Sequence, residues 1–142
     1  MKILLAVDGS KQSMRGVDCL LEHADWYRDR PQVELVTVHL PVPKIGRIGG
    51  GVSKSQVQKY YEEEGEQWLA PAKKRLDAAK VPYKAQILVG PVAETLVKHA
   101  KSAGCDLIYI GTRGMTATAN ALLGSTATKV LNLSTVPVLL VK

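Results

Sequence analysis

Two glycine-bearing segments in the last third of the chain carry the clearest chemistry. Gly111-Thr112-Arg113-Gly114 follows directly on an apolar run, and Gly124-Ser125-Thr126 opens a helical pattern. Glycine lacks a Cβ, so the main chain around it can approach a ligand closely and adopt φ > 0. A helix start offers N–H groups without intrahelical partners at the positive end of the helix dipole, and together these favour a phosphate. The hydroxyls of Ser125 and Thr126 can donate further hydrogen bonds, and the Arg113 guanidinium can pair with a phosphate oxygen. The same residues also have a plainer use, in which Gly111 and Gly114 turn the chain and Ser125 caps a helix. The segment is not a P-loop, because GxxxxGK[ST] needs a lysine after its second glycine. It is not a dinucleotide fingerprint either, since the first strand–helix turn holds Gly9 and no GxGxxG.

Other chemistry-bearing residues are fewer. Asp8 closes the first apolar run and His39 falls near the end of the second, so neighbouring strands would bring both to one cleft mouth. There they make a metal or water site, or Asp8 caps a helix and His39 packs in the interior or at an edge. His23 and His99 lie within helical patterns and read as surface or packing residues. No serine stands in a G-x-S-x-G elbow, which leaves a hydrolase triad without support. Cys19 lies near an apolar helical stripe and Cys105 beside a strand, with no evident cation to activate either thiol. A response-regulator site would need an aspartate ending the third strand, where this chain has Leu88-Val89-Gly90.

The elements that must position these residues alternate along the chain. Ile3–Val7 is a continuous apolar run, as expected of a strand buried on both faces. Ser10 can cap a helix carrying Met14, Val17, Leu20, Leu21 and Ala24, which Pro31 ends. Val33–Leu40 reads as a second strand. A Pro/Gly segment, Pro41–Val52, follows, and its Lys44 and Arg47 could make it a lid or leave it a simple connection. Ser53 caps a long helix with the stripe Val57, Tyr61, Trp68, Leu69, Ala72 and Leu76, which Pro71 should kink or split. Tyr83–Val89 is a third strand, and Pro91 takes the first position of the next helix. Asp106–Ile110 is a fourth strand. After the glycine loop come a helix through Ala127, Val130 and Leu131 and a last strand, Val136–Val141. Such alternation predicts one α/β domain over 1–142, a single doubly wound five-stranded parallel sheet with helices on both faces. Ligands of such sheets sit beyond the carboxyl ends of the strands, where the strand order reverses.

Composition closes several other routes. The chain has 142 residues, 46% hydrophobic and 23% charged, which is the make-up of one globular domain. No apolar run approaches the ~20 residues of a membrane helix. The N-terminus turns acidic at Asp8, too early for a signal peptide. Cys19 and Cys105 stand far apart with no CxxC, as expected of a reduced, cytoplasmic protein. The net charge is +6, yet the 19 Lys and Arg are scattered and the dense charge run, Glu62-Glu63-Glu64-Gly65-Glu66, is acidic. With no Phe and no aromatic cluster in sight to stack bases, nucleic acid is not the expected partner.

The glycine spacing reads Gly111-x2-Gly114-x9-Gly124-Ser125, and on that pattern the chain resembles the nucleotide-binding members of the universal stress protein family. The resemblance extends to Ile3–Ser10, Val38-His39-Leu40, Gly90-x-Val92-Ala93-Glu94, Asp106-Leu107-Ile108 and Val136–Val141. It implies a Rossmann-like fold of the adenine nucleotide alpha hydrolase-like type, with ATP, or ADP or AMP, in the cleft. Gly111, Arg113, Gly114, Gly124, Ser125 and Thr126 would surround the ribose and phosphates. Asp8 would lie near the nucleoside or bind Mg²⁺, Leu40 would contact adenine mainly through its main chain, and Ala6 and Ile110 would line the pocket. Ala6 replaces a proline found in some ATP-binding relatives.

Two further expectations complete the reading. The last strand is apolar and the sequence given stops at Lys142, so its edge invites a two-fold homodimer through residues 136–141, which the resemblance also suggests. No evident general base or arginine finger accompanies the loop, so a cytosolic stress-response protein that binds ATP as a switch or partner-binding dimer, without efficient turnover, is expected. The alternative is a slow ATPase or self-phosphorylating enzyme, with Ser125, Thr126 or Thr116 receiving phosphate.

Overall fold

The apolar runs become strands because only a sheet covered on both faces can bury them. In the computed structural model, which describes residues 1–42, 53–112 and 123–142, the first strand is β1 (Lys2–Ala6), followed by α1 (Met14–Glu22) and β2 (Gln32–His39). Then come α2 (Lys54–Ala78), β3 (Tyr83–Val89), α3 (Val92–Ser102), β4 (Leu107–Gly111), α4 (Ser125–Leu133) and β5 (Val138–Val141). All strand pairs are parallel and the order is β3-β2-β1-β4-β5. The doubly wound sheet is as expected, and the winding reverses between β1 and β4.

Alternation along the strands divides the interior in two. Ile3, Leu5, Val33 and Leu35 face α1 and α2, packing with Val17, Leu20, Leu69, Ala72 and Leu76. Leu4, Ala6, Val36, Val38, Ile108 and Ile110 face α3 and α4, packing with Ala93, Leu96, Ala100, Ala127 and Val130. Gly65 lets α2 lie close to the sheet, since a Cβ there would stand 2.7 Å from Ile87 Cγ2.

Several local expectations are corrected. The first helix begins at Met14, four residues after Ser10, because Ser10 caps a tight turn instead: its hydroxyl accepts the Ser13 N–H at 3.1 Å. That helix ends at Glu22, well before Pro31, where His23 (φ −112°, ψ 28°) leaves helical geometry and a short 3₁₀ turn follows. Pro71 does not split α2. Its position is exposed, and the flanking Leu69, Ala72 and Leu76 are buried, so packing holds the helix on both sides of one lost hydrogen bond. Ser53 caps α2 as expected, within a reciprocal capping box with Gln56. Pro91 stands at the N-cap of α3, one position before the one expected.

Among the described residues, one carboxylate is buried inside this framework. Glu34 of β2 is 6% exposed and faces α3, where His99 Nε2 lies 3.3 Å from one carboxylate oxygen and Lys2 Nζ 3.6 Å from the other. Removing a carboxylate so placed takes away the part-buried His99 ring's partner and leaves a cavity, while Lys2 Nζ keeps its hydrogen bond to Ala103 O. Glu34→Ala is therefore expected to lower unfolding free energy by about 2–3 kcal/mol, and Glu34→Gln by less, in urea denaturation.

Candidate functional site

The reversal of winding places the carboxyl ends of β1 and β4 side by side, with Leu5 in register with Tyr109. Ala6 and Ile110, the next residues on each strand, are 9% and 7% exposed and share the apolar cluster on the α3/α4 face. Leu40 stands one residue beyond β2, on the face of Val36 and Val38 by alternation, and is 67% exposed. Asp8 lies in the turn after β1, where its Oδ1 accepts from the Ser10 N–H at 3.0 Å and the Ser10 hydroxyl at 2.6 Å. Among the described residues no group of three His, Cys, Asp or Glu is placed to hold a metal.

The two ends of the glycine segment meet. Gly111 closes β4, the Thr112 N–H donates to Val141 O at 2.8 Å, and the Gly124 N–H donates to Thr112 O at 2.7 Å. Gly124 is the N-cap of α4 and, having no side chain, makes no capping hydrogen bond; Ser125 and Thr126 form the first helical residues. The start of α4 is thereby fixed beside the end of β4. Arg113, Gly114 and Thr116 lie outside the described residues, as do Lys44, Arg47 and Gly46–Gly51.

His39 is not at the cleft mouth. It lies on the α2 face of β2, 3% exposed, stacked on Trp68 with ring centroids 4.4 Å apart, its Nδ1 3.3 Å from Glu64. Tyr61 and Tyr60 stand at 5.4 and 6.4 Å from the same ring. This aromatic cluster was not visible along the sequence, because its members lie on two elements that meet only once α2 packs on the sheet. The spacing of residues 61, 64, 65 and 68 on one helix face was the available signal. Burial lowers the His39 pKa from its ordinary 6.5, with Glu64 opposing the shift. The unfolded chain therefore binds the extra proton first, and stability is expected to fall as pH drops below about 6.5 until the folded-state His39 itself titrates. Urea titrations at several pH values check this, with a shallower dependence expected in His39→Gln.

The thiols sit in environments that favour the protonated form. Burial, reinforced by Glu22, pushes Cys19 up, and burial with Glu34 pushes Cys105 up to about 11. Both cysteines are free.

The universal stress protein family model matches residues 1–142. The chain belongs to that family. Among relatives, the universal stress protein YxiE of Bacillus subtilis is 30% identical over 149 residues, covering 99% of this chain and 98% of its own. Among solved structures, that of MJ0577 from Methanocaldococcus jannaschii matches with a TM-score of 0.81 and 27% identity, covering 99% and 94% of the two chains. A universal stress protein family structure from Arabidopsis thaliana, solved with AMP bound, shares the fold at a TM-score of 0.72 and 16% identity, covering 100% and 91%. No helix among the described residues is long and apolar enough to cross a membrane.

Proposed function

We propose that this universal stress protein binds an adenine nucleotide, ATP in the first instance, beyond the carboxyl ends of β1 and β4, as a cytoplasmic nucleotide-dependent switch. The observation that carries this is the start of α4, a helix N-terminus with a glycine cap, joined to the end of β4 by the Gly124–Thr112 hydrogen bond. The amides there suit a phosphate. In this reading Gly111, Gly124, Ser125 and Thr126 hold the phosphates with Arg113 and Gly114, and Ala6, Ile110 and the Leu40 main chain receive the nucleoside. Mg²⁺, when bound, would share Asp8 with phosphate oxygens and water, which suits an ion that keeps several waters. The AMP-bound relative of the same fold supports an adenine nucleotide.

Protein purified without added nucleotide, denatured and analysed by mass spectrometry tests the reading. ATP or ADP at near-equal stoichiometry, absent from a Gly114→Val, Ser125→Ala variant, is the expected result. Empty protein that also fails to bind added Mg·ATP would overturn it. Time-resolved ADP release from the same preparation separates a switch from a slow ATPase.

The proposed assembly is a homodimer through residues 136–141. Among the described residues β5 is an edge strand, paired with β4 alone, and Val138, Leu139 and Leu140 are each part-exposed. A concentration-independent monomer in sedimentation would remove it.

A further inference from the structure

One stripe of α2 holds three main-chain segments at the carboxyl end of the sheet. The Trp68 ring covers the turn after β1 so closely that a Cβ on Gly9 would lie 2.5 Å from Cδ1. The same ring stacks on His39, at 25° between planes, one residue before Leu40. Earlier on the helix, a Glu64 carboxylate oxygen lies 3.3 Å from His39 Nδ1, and the Tyr61 hydroxyl accepts the Val42 N–H at 2.6 Å. Leu40 is thus held from both directions along the chain, at residue 39 and at residue 42.

Leucines at these positions would seat α2 on the sheet at less cost, because buried polar groups lose hydration. The cost here is evident: His39 Nε2 and Thr37 Oγ1, on the same face of β2, are buried with no hydrogen-bond partner among the described residues. What the polar stripe adds over an apolar one is direction. It fixes where main-chain N–H and C=O groups stand, whereas apolar packing fills volume.

We propose that Tyr61, Trp68 and the His39–Glu64 pair are positioning residues that set base selectivity, resting on the reading that adenine lies against the Leu40 main chain. Adenine offers a donor at N6 and an acceptor at N1, and guanine reverses both. A main chain locked in place satisfies one pattern and opposes the other, but a loose one accommodates both. Selectivity therefore depends on the ties at 39 and 42 more than on any side chain touching the base.

The test is binding of ATP and of GTP to the wild type, Tyr61→Phe, Trp68→Phe and the control Trp26→Phe, whose residue is exposed on the 3₁₀ turn outside this cluster. Tyr61→Phe removes one hydrogen bond and is expected to weaken ATP about three- to tenfold while leaving GTP nearly unchanged, so the ATP:GTP ratio collapses with little change in melting temperature. Trp68→Phe is expected to move the ratio the same way and further, and Trp26→Phe to leave it alone. A wild-type ratio in both folded variants, or equal losses for both nucleotides in step with melting temperature, would overturn the proposal. If Trp68→Phe does not fold, Tyr61→Phe decides alone. Wild-type protein that binds neither nucleotide removes the nucleotide reading and this proposal with it, whereas ATP binding with an unmoved ratio removes only this proposal.

Discussion

Gly124→Asp is expected to weaken adenine-nucleotide binding a hundredfold or more and, at the same time, to make the protein more stable. Gly124 has φ −70° and ψ 154°, a conformation open to any residue, so the backbone does not require glycine there. An aspartate at an N-cap accepts from the amides of the first helical turn and complements the helix dipole, together about 0.5–1 kcal/mol of stability. For a chain of this length that is a rise of roughly 2–4 °C in melting temperature. The same amides are the ones proposed to meet the phosphate. They would now be occupied, with a negative charge facing the ligand, and like charges so placed cost several kcal/mol of affinity. Scanning calorimetry and isothermal titration on one preparation read both effects, with Gly124→Ala as the variant that adds bulk without charge. Retained affinity in Gly124→Asp would move the phosphate away from α4.

The second large effect concerns folding. Gly9→Ala is expected to cost about 2–5 kcal/mol, a large part of the ~5–15 kcal/mol that stabilises a typical domain. Two causes act together. Gly9 sits at φ +79°, which an L-residue with a Cβ adopts at about 1–2 kcal/mol. The new methyl would also meet Cδ1, Cγ and Nε1 of Trp68 at 2.5, 2.8 and 3.0 Å, a flat ring that cannot bend aside. A fall of about 10 °C or more in melting temperature is the expected reading. Pairing the change with Trp68→Leu separates the causes: the double variant should lose less than the sum of the singles, because the clash is gone and the dihedral cost stays. Strict additivity would show that the ring is not the obstacle.

The doubly wound parallel sheet was legible because apolar runs of strand length alternating with helical patterns leave few alternatives, whereas the order β3-β2-β1-β4-β5 is set by pairings between strands far apart in sequence. Ser53 was legible as a cap because its partner, Gln56, lies three residues away. The errors fall where long-range packing overrides local signals. Ser10 has the right chemistry for an N-cap but closes the turn before the helix. Pro71 carries a breaker's chemistry into a helix that packing holds together. For the candidate site, the glycine spacing and the strand ends pointed to the carboxyl end of the sheet, where the structure brings Gly124 beside Thr112, and the α2 cluster stayed hidden. Glu64 and Gly65 read only as part of a dense acidic run, although Glu64 reaches His39 and Gly65 abuts Ile87.

The strand order has a consequence for the chain during its synthesis. β3, β2 and β1 are contiguous in sequence and can pair as soon as residue 89 is available, but β1 finds its other neighbour only at residues 107–111. Until that segment leaves the ribosome, the apolar edge of β1 stands open, and an open apolar edge is a template for pairing with another chain. The nascent protein thus passes through a window, closed only by its last third, in which that edge is open to wrong pairing. The nucleotide proposed for this fold, which would need β4 and α4, would arrive too late to help.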